Sequence, residues 1–326
     1  MIALKKKRLD GVRITGPDGF HAAALYVMPK RIVMLMKRKR FFPAALALLC
    51  GILLLLPVFH GAASAQGAGL SLHLFSFGKA DAFLLLTEEG AVLIDTGESG
   101  QGKEILSFLE ERGISELDTL IVTHFDKDHV GGAAKVLKGI PVRQVLQSNC
   151  PRDSKEYNKY VSALALCRIE PVTVREELSF FLGGASFTVY PPEKETYPKD
   201  PSNNSSLAVA VRYGDTSFLF TGDAESARLK ELSGADLGAF SFLQVPHHGA
   251  WETQLAALLA KADPDVAVIT SSEDELEDFV TVQLLEKAGA MVLLTREGEI
   301  DIFSDGNALE IFQNGKSLPT SNTTAA

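Results

Sequence analysis

Basic side chains are scarce in this sequence beyond its first 65 residues. Of the 32 Lys and Arg in the chain of 326 residues, only 21 follow residue 65, and they stand against 39 Asp and Glu. That part therefore carries a net charge of about −18. Such a balance favours solubility outside the cell and weighs against a tight, sequence-independent nucleic-acid binder, although a local positive groove remains compatible with it.

Cysteine is also rare, with three in the whole chain. Cys50 lies in an apolar N-terminal run, which leaves Cys150 and Cys167 and allows one disulfide at most. In an exported chain these two, seventeen residues apart around a helix-like segment, are expected to form a structural disulfide; the alternative is two separate buried thiols. Internal repeats and coiled-coil heptads are absent from the sequence, which excludes solenoid and coiled-coil architectures.

The N-terminal region has the layout of a secretory signal peptide. A basic stretch, Lys37–Arg40, precedes an apolar run at 41–59, and Ala63-Ser64-Ala65 matches a cleavage site that leaves Gln66 as the first residue. The apolar run is close to membrane-spanning length, so an uncleaved anchor is the alternative. We therefore expect an extracytoplasmic protein, secreted or anchored, that meets the membrane only if the leader is retained. The expected divisions are an unassigned extension at 1–33, the leader at 34–65, one domain at 66–316 and a disordered tail at 317–326.

Short apolar strands alternate with helical segments throughout the expected domain. Strand patterns occur at 70–77, 82–87 and 91–95, and apolar residues at helical spacing follow at 103–111. This alternation predicts an α+β fold in which two sheets pack together and helices cover both outer faces. A polar stretch rich in Pro and acidic residues, 191–206, predicts a long loop that shapes a substrate pocket.

Four metal-capable side chains lie within six residues directly after the apolar strand at 120–122. They are His124, Asp126, Asp128 and His129, and two glycines follow. Neighbouring carboxylates repel each other, and a divalent cation removes that cost. The pattern predicts a metal site on a strand-to-helix loop, and such a site is typical of a hydrolase.

Other polar motifs also follow predicted strands. They are Asp95-Thr96-Gly97, Thr221-Gly222-Asp223 and Pro246-His247-His248-Gly249. Because the carboxyl ends of strands in such a domain share one edge, these side chains are expected to converge. Five histidines follow residue 65, and all except His73 lie in these motifs. We expect His73, within a predicted strand, to be structural.

Together these motifs resemble the metallo-β-lactamase superfamily, and most closely the branch that includes the hydrolase domain of ComEC-type competence proteins. The second histidine of the common H-x-H-x-D-H motif is replaced there by Asp, as by Asp126 here. The resemblance covers about residues 70–305 and includes Asn203-Asn204-Ser205-Ser206-Leu207 and Phe218–Asp223. It implies a four-layer αββα sandwich with a metal site at one edge of the two sheets.

The resemblance also implies a role for each motif residue. His124 and Asp126 would hold a first metal ion, Asp128 and His129 a second, and Asp223 would bridge them. His247 or His248 would complete one site while the other contacts substrate or moves a proton; we expect His247 to be the ligand, and Asp128 and His248 to be catalytic groups. One or two divalent ions are implied, and a carboxylate in place of a histidine suits Mn²⁺ as well as Zn²⁺.

Several residues would support the metal or contact substrate. Asp95 would orient a ligand. Asp81 and Lys79 lie in Gly78-Lys79-Ala80-Asp81, where many relatives have Gly-Gln-Gly-Asp, and Asn203 and Asn204 lie where many have another histidine ligand. Relatives often carry a last histidine in the loop that is here Ser271–Asp278, a run with none. That metal position would be weaker, empty or filled by a carboxylate.

The resemblance implies an exported hydrolase in which a metal-held hydroxide attacks a phosphodiester. Extracytoplasmic relatives with this motif style resemble nucleases and teichoic-acid phosphorylcholine esterases, so nucleic acid or a cell-envelope phosphodiester is the expected substrate. A lactam or lactone is disfavoured because the motif departs from H-x-H-x-D-H. The alternative is a non-catalytic or single-metal binding protein on the same fold. The sequence indicates no obligate protein partner.

Overall fold

The structure is a computed structural model that describes residues 69–319. The predicted extension at 1–33 and the leader at 34–65 lie outside the described residues. Within residues 69–319, none of the helices has the length and apolar character needed to cross a membrane.

Two β-sheets form the centre of the domain. The first runs in the order β16-β15-β14-β1-β2-β3-β4-β5-β6, and its pairs β3–β4, β4–β5 and β5–β6 are parallel. Its strands are β1 (Leu70–Leu74), β2 (Phe83–Leu86), β3 (Ala91–Ile94), β4 (Leu117–Val122), β5 (Val142–Gln147), β6 (Val172–Thr173), β14 (Ile300–Ser304), β15 (Leu309–Gln313) and β16 (Lys316–Leu318).

The second sheet runs in the order β13-β12-β11-β10-β9-β8-β7, and the four strands from β10 to β13 are mutually parallel. Its strands are β7 (Leu178–Leu182), β8 (Ala185–Tyr190), β9 (Ala208–Tyr213), β10 (Thr216–Phe220), β11 (Phe242–Gln244), β12 (Val266–Ile269) and β13 (Met291–Leu294).

The helices flank the two sheets. Their bounds are α1 (Gly102–Glu111), α2 (Lys127–Val130), α3 (Ala133–Gly139), α4 (Lys155–Cys167), α5 (Pro201–Asn204), α6 (Ser226–Gly234), α7 (Leu255–Ala262) and α8 (Phe279–Lys287). Short 3₁₀ turns occupy Pro246–Gly249 and Thr295–Glu297.

Alternate side chains of the strands enter different cores, as the two-residue period of a strand requires. Phe83 and Leu85 of β2 join a core between the two sheets, where the ring of Phe83 lies 5.3 Å from that of Phe220. Leu84, between them, joins a second core with α1, α3 and α4, and a third core lies between the other sheet and α6, α7 and α8. The predicted αββα layering is confirmed.

Helix α4 explains why the expected disulfide is wrong. Cys150 lies before this helix and Cys167 is its last residue, and both thiols are free. A helix of 13 residues is about 20 Å long, whereas bridged cysteines have Cα atoms within about 7 Å of each other. The Cys167 thiol instead donates a hydrogen bond to the Leu137 carbonyl, at 3.2 Å.

The C-terminal boundary also differs from the prediction. Residues 317 and 318, expected to begin a disordered tail, belong to β16, which pairs with β15 in an antiparallel register. The ladder hydrogen bonds of an antiparallel pair satisfy polar backbone groups regardless of how hydrophilic the side chains are. Residues 320–326 lie outside the described residues.

Parallel strands bring the polar motifs to one end of the sandwich. Asp95 follows β3, and the 123–129 segment follows β4, which is hydrogen-bonded to β3. Asp223 follows β10, and the 246–249 turn follows β11, its parallel neighbour. Both sheets therefore deliver their motif loops to the same edge.

Candidate metal centre

Four side chains from both sheets form a compact cluster at this edge. One ligand atom each from Asp128, His129, Asp223 and His248 lies within 4.8 Å of the other three. His129 Nε2 is 3.1 Å from Asp223 Oδ1, and His248 Nε2 is 3.4 Å from Asp223 Oδ2 and 3.5 Å from Asp128 Oδ2. Asp223 is thus the shared member, the position expected of a bridging carboxylate.

Backbone conformation sets the positions of these side chains. Asp128 and His129 are carried by the single turn of α2, directly after β4. Gly222 places Asp223 through a φ of +53°, and a side chain at this glycine would meet Thr123. His248 adopts the left-handed region with φ 52°, a conformation that costs about 1–3 kcal/mol in a non-glycine residue and is found at functional sites.

His124 lies at the margin of the cluster. Its Nε2 atom is 3.9 Å from Asp223 Oδ2, and its ring centroid is 4.1 Å from that of His129. The Nδ1 atom lies 3.1 Å from the Thr123 hydroxyl. His124 is therefore positioned to add a fifth donor on the Asp223 side.

Asp95 supports the cluster from behind, in the orienting position expected for it. Its carboxylate lies 2.9 Å from His129 Nδ1 and accepts hydrogen bonds from the Thr123 amide and hydroxyl at 2.8 and 2.6 Å. Asp95 and His129 are fully buried. The pair fixes the His129 ring so that Nε2 points into the cluster.

A second support holds His248, and it includes two residues that the sequence reasoning missed. His248 Nδ1 lies 2.8 Å from the Thr270 hydroxyl, which donates to Asp81 Oδ1 at 2.6 Å. Gln244 donates to the other Asp81 oxygen at 3.3 Å. Asp81 thus acts through Thr270, and the only sequence signal for Thr270 was its place at the end of β12.

Unsatisfied buried atoms show that the donor set suits a metal ion. His124 Nε2, His129 Nε2, His248 Nε2 and Asp223 Oδ1 are all buried, and none has a partner in hydrogen-bond geometry, although His129 Nε2 and Asp223 Oδ1 lie 3.1 Å apart. Buried polar atoms without partners are costly and rare. Zn²⁺ and Mn²⁺ sites are built from carboxylates and from imidazoles whose other ring nitrogen is held by a hydrogen bond. The residues of the cluster therefore fit a divalent ion.

The electrostatics of the cluster keep its carboxylates ionised. Burial by itself would raise the pKa of Asp223, yet His129 and His248 hold it well below the usual value. Burial likewise opposes ionisation of Asp128, and its contact with His248 lowers the pKa. Burial also lowers the pKa of His124, with His129 adding to the effect. Burial disfavours the charged forms of His129 and His248, but Asp223 raises the pKa of both well above the usual value, so a bound ion would displace protons from these two rings.

Asp126 was expected to be a ligand and is not in the cluster. Its Oδ1 atom accepts hydrogen bonds from the Arg152 guanidinium and the Ser202 hydroxyl. Asp126 stands at the N-cap of α2, one step before the turn that carries Asp128 and His129. The prediction that Asp126 pairs with His124 around a first ion is therefore corrected.

The two adjacent histidines belong to different groups. His248, predicted to be catalytic, is a member of the cluster, whereas His247, predicted to be a ligand, lies with Glu225 and Glu252 in a separate group that could also hold a metal ion. His247 Nδ1 lies 3.7 Å from Glu225 and 3.7 Å from Glu252, and the side chain is 26% exposed. Both histidines have left-handed backbones in the 246–249 turn, which separates the two rings by 6.4 Å.

Asn203 and Asn204 also have different surroundings. Asn203 donates to Glu225 at 3.0 Å and lies 3.4 Å from His247 Nε2, so it borders the exposed side of the site. Asn204 is buried, donates to the carbonyls of residues 199 and 200, and accepts from the Arg228 amide. Asn204 is therefore structural, and its predicted role as a ligand or substrate contact is wrong.

Lys79 and the acidic run contribute no ligand to the cluster. Lys79 is half-buried in the loop between β1 and β2 and makes no hydrogen bond or ion pair within residues 69–319. In the 271–278 segment, Glu273 and Glu277 form ion pairs with Arg296 at 3.2 and 3.3 Å. No carboxylate of this run replaces the absent histidine.

The predicted pocket loop does line a cavity. A cavity of about 340 Å³ has Asp200, Ser202 and Asn203 on one wall, all from the loop expected to shape a substrate pocket, and Asp126 and Arg152 on the other. Asn203 connects this cavity with His247. The four cluster residues themselves do not line this cavity.

Comparison with known proteins agrees with this architecture. A family model described as the metallo-beta-lactamase superfamily matches residues 76–271. Recombination protein 2 of Haemophilus influenzae is 31% identical over 215 residues, and ComE operon protein 3 of Bacillus subtilis is 29% identical over 234 residues. Each alignment covers 64% of this chain but only 25% and 29% of the respective relative, so the chain spans about a quarter of their length.

Solved structures that are similar to this chain include the metallo-beta-lactamase fold protein YhfI from Bacillus subtilis. The match has a TM-score of 0.49 and 11% identity, and it covers 72% of this chain and 100% of that one. The members of the matching family are generally metal-dependent hydrolases that bind one or two divalent ions. From the family match, the layered fold and the clustered motifs, we conclude that the chain belongs to the metallo-β-lactamase superfamily, in its ComEC-like branch.

Proposed function

We propose that this protein is an exported, metal-dependent phosphodiesterase. One observation carries the proposal: three imidazole Nε2 atoms and an Asp223 carboxylate oxygen are buried together, close to one another but in hydrogen-bond geometry with no group. Asp128, His129, Asp223 and His248 would hold a divalent ion, with His124 as a further donor. When bound, such an ion would lower the pKa of water and polarise a phosphoryl oxygen.

The supporting residues keep the imidazoles in the tautomer that binding requires. The Asp95 carboxylate accepts the Nδ1 proton of His129, which leaves the Nε2 lone pair directed inward. Thr270 donates its hydroxyl proton to Asp81 and accepts the Nδ1 proton of His248. The chain thereby fixes both rings before any ligand arrives.

His247 is the group best placed to give a proton to the leaving oxygen. Its Nε2 atom faces Asn203, which lines the cavity, and its Nδ1 atom faces Glu225 and Glu252. Glu225 and Glu252, each 3.7 Å from Nδ1, lie beside the ring that would act as the general acid. A protonated Nε2 that exchanges its contact with the Asn203 amide for the leaving oxygen would complete cleavage of a phosphodiester bound in the cavity.

Phosphodiesters are proposed as substrates for two reasons. One curated relative is named as a recombination protein, and recombination acts on nucleic acids, whose linkages are phosphodiesters. The cavity also offers the Arg152 guanidinium, a preferred partner of phosphate oxygens. The charge of about −18 after residue 65 weakens nonspecific attraction to long polyanions, so a cell-envelope phosphodiester stands beside nucleic acid as a candidate.

Metal loading combined with turnover tests this function. Purified protein is stripped with a chelator, reloaded with Zn²⁺ or Mn²⁺, and assayed with bis(p-nitrophenyl) phosphate, with a lactam and a lactone ester for comparison. Metal-dependent release of p-nitrophenol, absent in Asp223→Asn, is expected. A wild-type protein that binds metal but hydrolyses none of these compounds would refute the proposal.

Export rests on the leader at 34–65 and has a separate test. After expression in a bacterium with a general secretory system, the N-terminus of the extracytoplasmic form is sequenced. Cleavage before Gln66 is expected. Protein that stays in the cytoplasm would contradict export without affecting the hydrolase assignment.

One observation favours a second candidate, a single-metal or non-catalytic binding protein. Asp126 is held by Arg152 and Ser202, and the acidic loop is held by Arg296, so neither supplies a ligand for another ion. Such a protein would bind one ion tightly and turn over no ester. The loading and turnover assay separates the two candidates.

A further inference from the structure

The cavity lined by Asp126, Arg152 and Asn203 carries an unusual charge arrangement. Its lining includes two carboxylates, Asp126 and Asp200, and a single basic side chain, Arg152. The neighbouring cluster adds Asp128 and Asp223. A phosphodiester carries one negative charge, so a site with four carboxylates and one divalent ion would still repel it.

Arg152 is positioned to offset that repulsion. Its Nη1 atom donates to Asp126 Oδ1, and Ser202 donates to the same oxygen. The guanidinium has no further hydrogen bond within residues 69–319, and 47% of the side chain is exposed. A guanidinium has five N–H donors, so several remain available for an anion in the cavity.

Asp126 belongs to the motif that would otherwise support a second ion beside His124. Asp126 follows His124 by two residues in the short segment between β4 and α2. An Asp126 oxygen shared by an arginine and a serine is less available to a cation. The Asp126–Arg152 ion pair therefore joins a carboxylate that could bind a metal ion to a guanidinium that could bind substrate.

We propose that Arg152 serves as the second cation of this site: it neutralises Asp126 in place of a second metal ion and binds a phosphate oxygen of the substrate in the cavity. The substrate half of this inference rests on the proposed phosphodiesterase function. The metal half concerns only the number of ions bound and is independent of turnover.

Counting bound ions tests the metal half. Wild type, Arg152→Ala and Arg152→Gln are equilibrated with Mn²⁺ by dialysis, and bound metal is measured by mass spectrometry. We expect one ion per wild-type chain and a gain of one in both variants, because Asp126 becomes free to ligate with His124. Adding Asp126→Asn to Arg152→Ala should remove the gained ion.

Arg143→Ala is the matched control for the count. Arg143 is also half-exposed and also paired with carboxylates, Glu116 and Asp118, but it lies on β5 away from the cavity. Its count should equal that of wild type. Equal counts in Arg152→Ala and wild type would overturn the metal half, as would two ions in wild type with one lost in Asp126→Asn.

Kinetics with bis(p-nitrophenyl) phosphate test the substrate half. Losing a charged hydrogen bond to phosphate should lower kcat/KM of Arg152→Ala by about 10- to 100-fold, mainly through KM, with Arg152→Lys intermediate and Arg143→Ala unchanged. An unchanged KM in Arg152→Ala would overturn this half. If wild type itself shows no turnover, the phosphodiesterase proposal and the substrate half fail together, while the ion count still decides the metal half.

Discussion

The Asp95 carboxylate and the His129 imidazole are joined at 2.9 Å in a fully buried pair. The same carboxylate accepts two hydrogen bonds from Thr123, the last residue before the metal loop. Asp95 therefore ties the orientation of one ligand to the backbone of the strand end that carries it. It holds this position with a left-handed φ of 57°.

Replacing Asp95 by Asn should weaken metal binding without removing it. The amide of Asn keeps the size of the side chain but loses one acceptor oxygen, so His129 is held less firmly. We expect the metal dissociation constant to rise about 10- to 100-fold, as is typical for residues that orient ligands. Competition with a chromophoric chelator measures the constant. Wild-type affinity in Asp95→Asn would show that the pair has no orienting role.

Asp128→Ala should abolish metal binding while leaving the fold intact. The side chain supplies a cluster oxygen near His248, and the hydrogen bond from the Asp81 amide goes to the Asp128 backbone carbonyl, which alanine retains. Metal affinity should fall by more than about 100-fold, beyond the loss typical of a supporting residue, with an unchanged circular dichroism spectrum. Asp274→Ala, at an exposed acidic position, is the control. Full activity in Asp128→Ala would refute its assignment as a ligand.

Substituting the adjacent histidines separately should give opposite phenotypes. His248→Gln removes a buried cluster nitrogen, so bound metal and turnover should both be lost. His247→Gln leaves the cluster intact, so metal content should stay at the wild-type level while kcat falls about 100-fold, a typical contribution of general acid catalysis. Metal analysis and steady-state kinetics on both variants check this pair. Loss of metal in His247→Gln would restore the assignment made from sequence.

Stability should depend on pH through Asp301, far from the metal centre along the chain. Burial opposes ionisation of Asp301, but its 2.7 Å contact with His73 across β1 and β14 lowers the pKa. Because the folded-state pKa is depressed, the stabilisation is present above the unfolded value of about 3.9 and is lost as pH falls through the folded value.

Urea unfolding of wild type and Asp301→Asn between pH 7 and pH 3 measures this dependence. The variant should be less stable at pH 7 by about 1 kcal/mol or less, since 44% of the Asp301 side chain is exposed, and the difference should shrink towards pH 3. A difference that stays constant over this range would mean that ionisation of Asp301 does not stabilise the fold.

The layers and the edge that carries the site could be predicted because local patterns determined them. The continuous apolar run of strands such as β2 has one plausible arrangement, with each face in a core. Motifs that follow parallel strands gather at one edge of each sheet, and the packing of the two sheets then brings Asp128 and His129 to Asp223. Asp95 was predictable for the same reason.

The errors arose where long-range contacts or backbone geometry decide the outcome. Arg152 binds Asp126 from 26 residues away, and no local pattern links them. Two positive φ angles determine which of His247 and His248 faces the cluster, and sequence spacing does not reveal them. Thr270 and Gln244 support the site with uncharged groups, which carry little signal in a single sequence.

The middle of the chain also escaped prediction in detail. Helix α4 and strands β5 and β7 lie between 142 and 182, where the sequence patterns are mixed. In β7 alternate residues are exposed, and Phe181 is 80% exposed, so the strand does not follow a simple apolar-inward rule. Backbone pairing with β8, and not side-chain burial, therefore holds β7 in the sheet.

The shared carboxylate of Asp223 belongs to one sheet and its partner His129 to the other, so the contact between them spans the seam of the sandwich. A cation at that seam would act as a clasp between the two halves of the domain. Removing this ion would weaken the contact between the two sheets and would also abolish activity. Chelation would then lower the melting temperature, which can be measured without any substrate.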